Sequence, residues 1–199
     1  MRSTTKVITL LACAAIGFTL GPIVAEEQRL GQPGASEKDA EVKVTIRVAD
    51  PQNAASLRFY VTFENVGATD TVLNLGMMLA NGRVQQPSAV RLALTDPNGR
   101  VRELQFSDKR YPGVAGRVDD YVVPLRTGSA YMVKLSLENF WCPKTSEFTL
   151  QLKPGKYAVR AEFTGQEAQI VSLGNKDVKF LPFWTGTVKS DAAQFDIAR

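Results

Sequence analysis

The sequence predicts an all-β fold, an antiparallel two-sheet sandwich, and three observations carry that expectation. Apolar residues recur at every second position in one segment after another. Turn sequences built on Pro, Gly, Asn and Asp separate these segments. No stretch carries an apolar stripe of helical period. A composition of 44% hydrophobic and 22% charged residues over 199 positions suits one domain of sandwich size.

In chain order, the first element is a segment for export. Arg2 and Lys6 make a short basic start, Val7 to Leu20 is apolar and uncharged, Gly21-Pro22 breaks any helix, and Ala25 offers a small residue for cleavage before Glu26. Residues 1–25 therefore read as a signal peptide, which makes the protein exported, either periplasmic or extracellular. The other reading, a retained membrane anchor over Val7–Ala25, is weakened by Gly17, Gly21 and Pro22, so no stable membrane span is expected after cleavage. Residues 26–40 contain Leu30 as their only large apolar residue and read as a flexible tether. Residues 41–199 form the sandwich domain.

Within that domain, Val42, Val44, Ile46 and Val48 alternate with Lys43, Thr45 and Arg47, as one face of a strand requires. Leu57, Phe59, Val61 and Phe63 repeat the pattern. Val90, Leu92 and Leu94 lead into Asp96-Pro97-Asn98-Gly99, a turn sequence, and Val101 to Phe106 returns as the hairpin partner. Tyr131, Val133, Leu135 and Leu137 alternate, as do Phe148, Leu150 and Leu152. After Lys153-Pro154-Gly155-Lys156 come Tyr157, Val159, Ala161 and Phe163, and Ala193, Phe195 and Ile197 close the chain. Pro154-Gly155 suits the centre of a type II turn, whose second position needs a positive φ. Tyr157, just after it, matches either a plain core tyrosine or a tyrosine corner, in which the hydroxyl bonds back to the chain upstream.

Three of these segments resemble recurring motifs of secreted bacterial domains. Leu152 to Phe163 is similar to their "pG.Y.vra.y" strand, Trp184 to Asp191 with Phe195 to their closing "W.G.v.Sn.v.F" strand, and Val123 to Ser129 to their "pL.pG.s" turn. The family that the motifs point to is the immunoglobulin-like β-sandwiches of bacterial export, including the BsuPI-type proteinase-inhibitor fold. The resemblance implies an immunoglobulin-like sandwich; any inhibitor role it implies is analogy, because fold does not carry function. Where the pattern commonly has Ser-Asn, this chain has Ser190-Asp191.

Composition excludes several chemistries. The chain has no histidine, which removes Ser-His-Asp and Cys-His nucleophile systems and every His-ligated metal site. Cys13 and Cys142 form no C-x-x-C pair. Losing residues 1–25 takes two of the 24 basic residues and none of the 20 acids, so the remaining chain is nearly neutral. The basic loop at Lys109-Arg110 is diluted by Asp108, Asp119 and Asp120, and no nucleic-acid partner is expected. No cofactor and no metal are expected either. Asp119-Asp120 with Asp50 or Asp70 lack the D-x-D-x-D-G spacing of a calcium loop.

The expected function is an exported, non-catalytic sandwich that binds a protein or glycan partner. Two aromatic clusters are the candidate binding residues: Phe140 and Trp141, before Cys142-Pro143, and Phe183 and Trp184, before the closing strand. Rings at strand ends either stack on a ligand or plug the ends of the sandwich. Two alternatives come from other classes. One is a secreted proteinase inhibitor presenting the loop Ser107–Asp119; the other is a carbohydrate-active enzyme using a carboxylate pair such as Asp119 and Glu138. Cys142, flanked by apolar residues, is expected to be buried as an unreactive thiol.

Overall fold

The computed structural model describes residues 41–49, 57–79, 82–107, 117–168 and 181–198. The signal peptide and tether expected at 1–40, together with Cys13, Asp50 and most of the loop after Ser107, lie outside the described residues. The described residues form twelve strands: β1 (Val42–Ala49), β2 (Arg58–Asn65), β3 (Thr71–Leu79), β4 (Val84–Gln86), β5 (Val90–Thr95), β6 (Val101–Phe106), β7 (Val118–Leu125), β8 (Ala130–Ser136), β9 (Phe140–Trp141), β10 (Gly155–Gly165), β11 (Gly186–Lys189) and β12 (Ala193–Ile197). Every ladder between them is antiparallel.

A six-stranded sheet runs β11-β10-β5-β6-β9, with β12 also paired to β10. It faces the sheet β1-β2-β8. Edge-on ring contacts join the two layers: Phe59 on β2 meets Phe195 on β12, and Phe63 meets Phe163 on β10, with centroids 6.4 and 5.1 Å apart. The remaining strands form a further sheet, β4-β3-β7, so the strands outside the six-stranded sheet belong to two three-stranded sheets. The chain passes from β7 to β8 through the turn at residues 126–129, and the Tyr121 and Tyr131 hydroxyls, 2.7 Å apart, bridge the two sheets there. Burial and this hydrogen bond push the Tyr121 phenol well above its ordinary range. One continuous core collects apolar residues from all three sheets, and the fold is an all-β antiparallel sandwich.

Two features of the motif-bearing half have physical causes. Tyr157 donates its hydroxyl to the Lys153 carbonyl at 2.9 Å, four residues upstream, which makes it a tyrosine corner. Gly155 opens β10 with a positive φ of +146°, away from the roughly +80° of the type II turn that Pro154-Gly155 suggests, and a Cβ there would meet Pro97 Cγ at 2.6 Å, so the start of β10 packs backbone against the proline of the turn at residues 96–99. The closing edge is one strand interrupted by a bulge. Ser190 donates its N–H to the Ala161 carbonyl, and its hydroxyl accepts the Ala161 N–H at 2.9 Å while donating to Asp191 O at 2.7 Å. A buried serine thus supplies the ladder bond lost between β11 and β12.

Two stretches differ from expectation. Phe148, Leu150 and Leu152 alternate but form no strand; Phe148 is exposed, and Leu150 and Leu152 pack on the core from a loop. Conversely β3 is a full strand without period two, because Leu73, Asn74 and Leu75 are all buried. Asn74 is stabilised there by hydrogen bonds to Asp120 and the Glu167 carbonyl, at a break in the β3–β7 register.

Candidate functional site

The four aromatic residues of the sequence prediction occupy different environments. Phe140 on β9 is 1% exposed and meets Phe106 edge-on at 5.5 Å, inside the core. Trp141, the next residue, points outward and stacks on Phe148 with ring planes 7° apart. Phe183 bridges to Val72 of β3 in parallel register, and the backbone around it is held on both sides: Pro182 accepts from Val72, and Val72 accepts from Trp184. Trp184 is partly buried, stacks on Phe163 at 5.5 Å, and lies across Gly165. Cys142 is buried, as expected, and its backbone pairs with Glu147.

The other candidates are held by local contacts. Asp119 pairs with Arg117 at 2.6 Å on β7, whereas Glu138 belongs to the 3-10 turn Leu137–Asn139 that follows β8 in another sheet. Asp70 accepts the Thr127 N–H and so caps the turn between β7 and β8. Among the described residues no three Asp, Glu or Cys side chains gather into a metal-holding group, and no helix is long and apolar enough to cross a membrane.

A concave surface that no sequence pattern singles out lies on the outer face of the six-stranded sheet. Its floor and walls follow from register. In one cross-strand row Trp141, Gln105, Arg91, Glu162 and Lys189 stand side by side on β9, β6, β5, β10 and β11. In the next row Glu103, Ala93 and Arg160 do the same. Ala93 is the smallest side chain at the centre, so the longer residues around it leave a furrow of about 440 Å³. Lys144, from the 3-10 turn Pro143–Thr145 beyond β9, closes one end.

The charges in this furrow are unequally matched. Lys144 pairs with Glu103 at 3.0 Å and Lys189 with Glu162 at 2.9 Å. The Lys144 ammonium, by hydrogen bond and charge, holds the Glu103 carboxyl below its usual range, and Arg91 adds to this through its field alone. Among the described residues neither Arg91 nor Arg160 has an ion pair or a side-chain hydrogen bond, and both are exposed. They sit diagonally on adjacent strands, Arg91 opposite Glu162 and Arg160 opposite Ala93. That places two fork-shaped donors about 7–8 Å apart at their Cα atoms, aimed over one concavity. Such a pair can take carboxylate oxygens bidentately, while Glu103, Glu162 and Gln105 offer acceptors nearby.

No local motif announces this surface, because each of its charged strand residues is merely the polar alternate of its strand. Only the β6–β5–β10 register brings them together.

No protein-family model matches the chain, and no curated protein matches it. Several solved structures align with it at low similarity. A β-glucosidase from Erythrobacter marinus is 13% identical with a TM-score of 0.36, over 80% of this chain and 16% of its own. A β-glucosidase from Listeria innocua in complex with glucose is 12% identical with the same TM-score and coverages. The CARDB domain of a Pyrococcus furiosus protein, in complex with di-metal ions, is 14% identical with a TM-score of 0.31, over 81% of this chain and 89% of its own. The chain thus spans about one sixth of the length of the glucosidases it aligns with. All three scores lie below 0.5, so the description of the fold rests on the strand ladders, the shared core and the tyrosine corner of this chain.

Proposed function

We propose that this protein is an exported, non-catalytic binding domain that engages a protein or glycan partner on the outer face of its six-stranded sheet. The observation that carries the reading is the furrow over Ala93, walled by two guanidiniums that form no ion pair among the described residues. Exposed arginines over a concave, pre-formed surface are what a recognition site supplies before its ligand arrives. Trp141 extends the same face at its β9 edge. The absence of histidine from the sequence favours binding over Ser-His or Cys-His hydrolysis.

The test is to screen the protein against arrayed glycans and envelope proteins, then repeat each positive with Ala93→Tyr, which fills the floor of the furrow. Ala93 faces outward, so this variant should melt within about 2 °C of the parent. Binding that Ala93→Tyr abolishes supports the reading. Partners held equally well by the filled variant belong to another face, and turnover of a bound glycan would make the protein an enzyme. Export is tested by sequencing the N-terminus of the protein recovered from outside the cytoplasm. A start at or near Glu26 is expected, and a membrane-held species beginning at Met1 would defeat it.

A further inference from the structure

Resting on that reading of the outer face, we infer that the ligand of the furrow is a glycan bearing carboxylates, of the uronic-acid kind. Three observations lead there. First, the furrow crosses β5, which is hydrogen-bonded to β6 on one side and β10 on the other. Its backbone donors and acceptors are already used in ladders, so an extended peptide cannot add as a strand here. Recognition must come from side chains.

Second, those side chains are of two kinds set side by side. Among the described residues Arg91 and Arg160 have no ion pair and no side-chain hydrogen bond, and such donors suit carboxylate oxygens. Glu103 and Glu162, each tied to a lysine, keep remaining acceptor capacity and suit hydroxyl donors. A ligand presenting acids and hydroxyls at close spacing satisfies both sets. A dense polyanion would instead meet Glu103 and Glu162 as like charges, and a neutral glycan would leave both arginines without a counter-charge. Third, a volume of about 440 Å³ falls within the range of small-ligand clefts, enough for a short stretch of sugar rings.

The experiment is calorimetric titration of the full-length protein with tetragalacturonate, its fully methyl-esterified form, and polyglutamate. The inference expects tetragalacturonate to bind, the ester to bind at least about 10-fold more weakly, and Arg91→Gln or Arg160→Gln each to weaken tetragalacturonate by about 10-fold or more, as loss of a charge-assisted hydrogen bond does. Both arginines are exposed, and unchanged melting curves show that the variants remain folded. Failure of tetragalacturonate to bind, equal binding of the ester, unchanged affinity in both arginine variants, or tighter binding of polyglutamate would each overturn the uronate assignment. Ala93→Tyr separates the two levels. Ester binding equal to that of tetragalacturonate, or tighter polyglutamate binding, that it abolishes refutes the uronate and keeps the outer face as the partner surface, whereas binding of any of these ligands that it leaves intact refutes both.

Discussion

Trp184 and Trp141 each follow a phenylalanine, and each stacks on another phenylalanine, yet they serve opposite sides of the sandwich. Trp184 lies flat on Phe163, which is fully buried, and across Gly165, with its backbone hydrogen-bonded to Val72 of a different sheet. Trp141 lies flat on Phe148, which is 51% exposed. The residue chosen as a stacking partner therefore decides the role of the ring. Around Trp184 the surrounding chain leaves a slot: Gly165 has no side chain, and a Cβ there would sit 2.5 Å from the indole Cε3 atom. Around Trp141 the strict alternation of β9 settles the matter, because Phe140 and Cys142 point in and the residue between them must point out.

The comparison is broken most directly at Trp184. Trp184→Ala should cost about 3 kcal/mol, the lower end for aromatic truncation because the ring is only partly buried. For a domain of this size that lowers the melting temperature by roughly 6–12 °C. A variant that melts with the parent would mean that Trp184 is not an end plug and would return it to the candidate binding residues.

Gly165→Ala approaches the same slot from beneath. The added methyl would contact both the Trp184 ring and its carbonyl, and backbone cannot swing aside as a flexible side chain can. Overpacking of this kind costs about 1–3 kcal/mol. In Trp184→Ala the ring contacts are gone but the backbone carbonyl contact remains, so the same glycine substitution should cost less without becoming neutral, and a double-mutant cycle should show coupling of about 1 kcal/mol. Independent effects would place the clash elsewhere.

The contrast between the two tryptophans also marks how far the amino-acid sequence alone declares the fold. Alternation locates β1, β2, β5, β8, β10 and β12, because a strand with one wet face writes its geometry in period two, and the turn sequence at residues 96–99 adds β6 as a hairpin partner. It misses β3, where Leu73, Asn74 and Leu75 are buried in succession and a hydrogen-bonded asparagine stands in the core. It also places a strand at Phe148, Leu150 and Leu152, whose spacing is met by a loop with one ring outside and two side chains packed inward. Tyr157 is legible as far as its position beside Pro154-Gly155; choosing the corner requires the bond to Lys153. The furrow is not legible at all. Arg91, Glu103 and Arg160 are far apart in sequence, and the pairing that unites them is a long-range property of three strands.

A smaller effect is expected at Trp141. Its stack with Phe148 lies at the protein surface, so Trp141→Ala should cost less than about 1 kcal/mol. If the loss equals that of Trp184→Ala, the two clusters are energetically alike and the contrast fails. The same variant should weaken a ligand seated on the outer face, since Trp141 shares the row of Gln105 and Arg91. Lower stability and unchanged binding together would reduce Trp141 to a packing residue.

The smallest expected signal is at Cys142, and it tests the in–out–in alternation without altering the chain. If Trp141 faces solvent, Cys142 must face the core, and its thiol is 1% exposed with the backbone tied to Glu147 in both directions. A buried thiol among apolar neighbours can react only when the domain opens, so its labelling follows the unfolding equilibrium. Native protein should therefore take up almost no thiol reagent, and the same sample in denaturant should label fully. On non-reducing electrophoresis it should run as a monomer, because no cysteine of another copy can reach the sulfur. Rapid native labelling, or a dimer that reductant collapses, would put Cys142 at the surface. That result would reverse the facing of β9 and, with it, the assignment of Trp141 to the outer row.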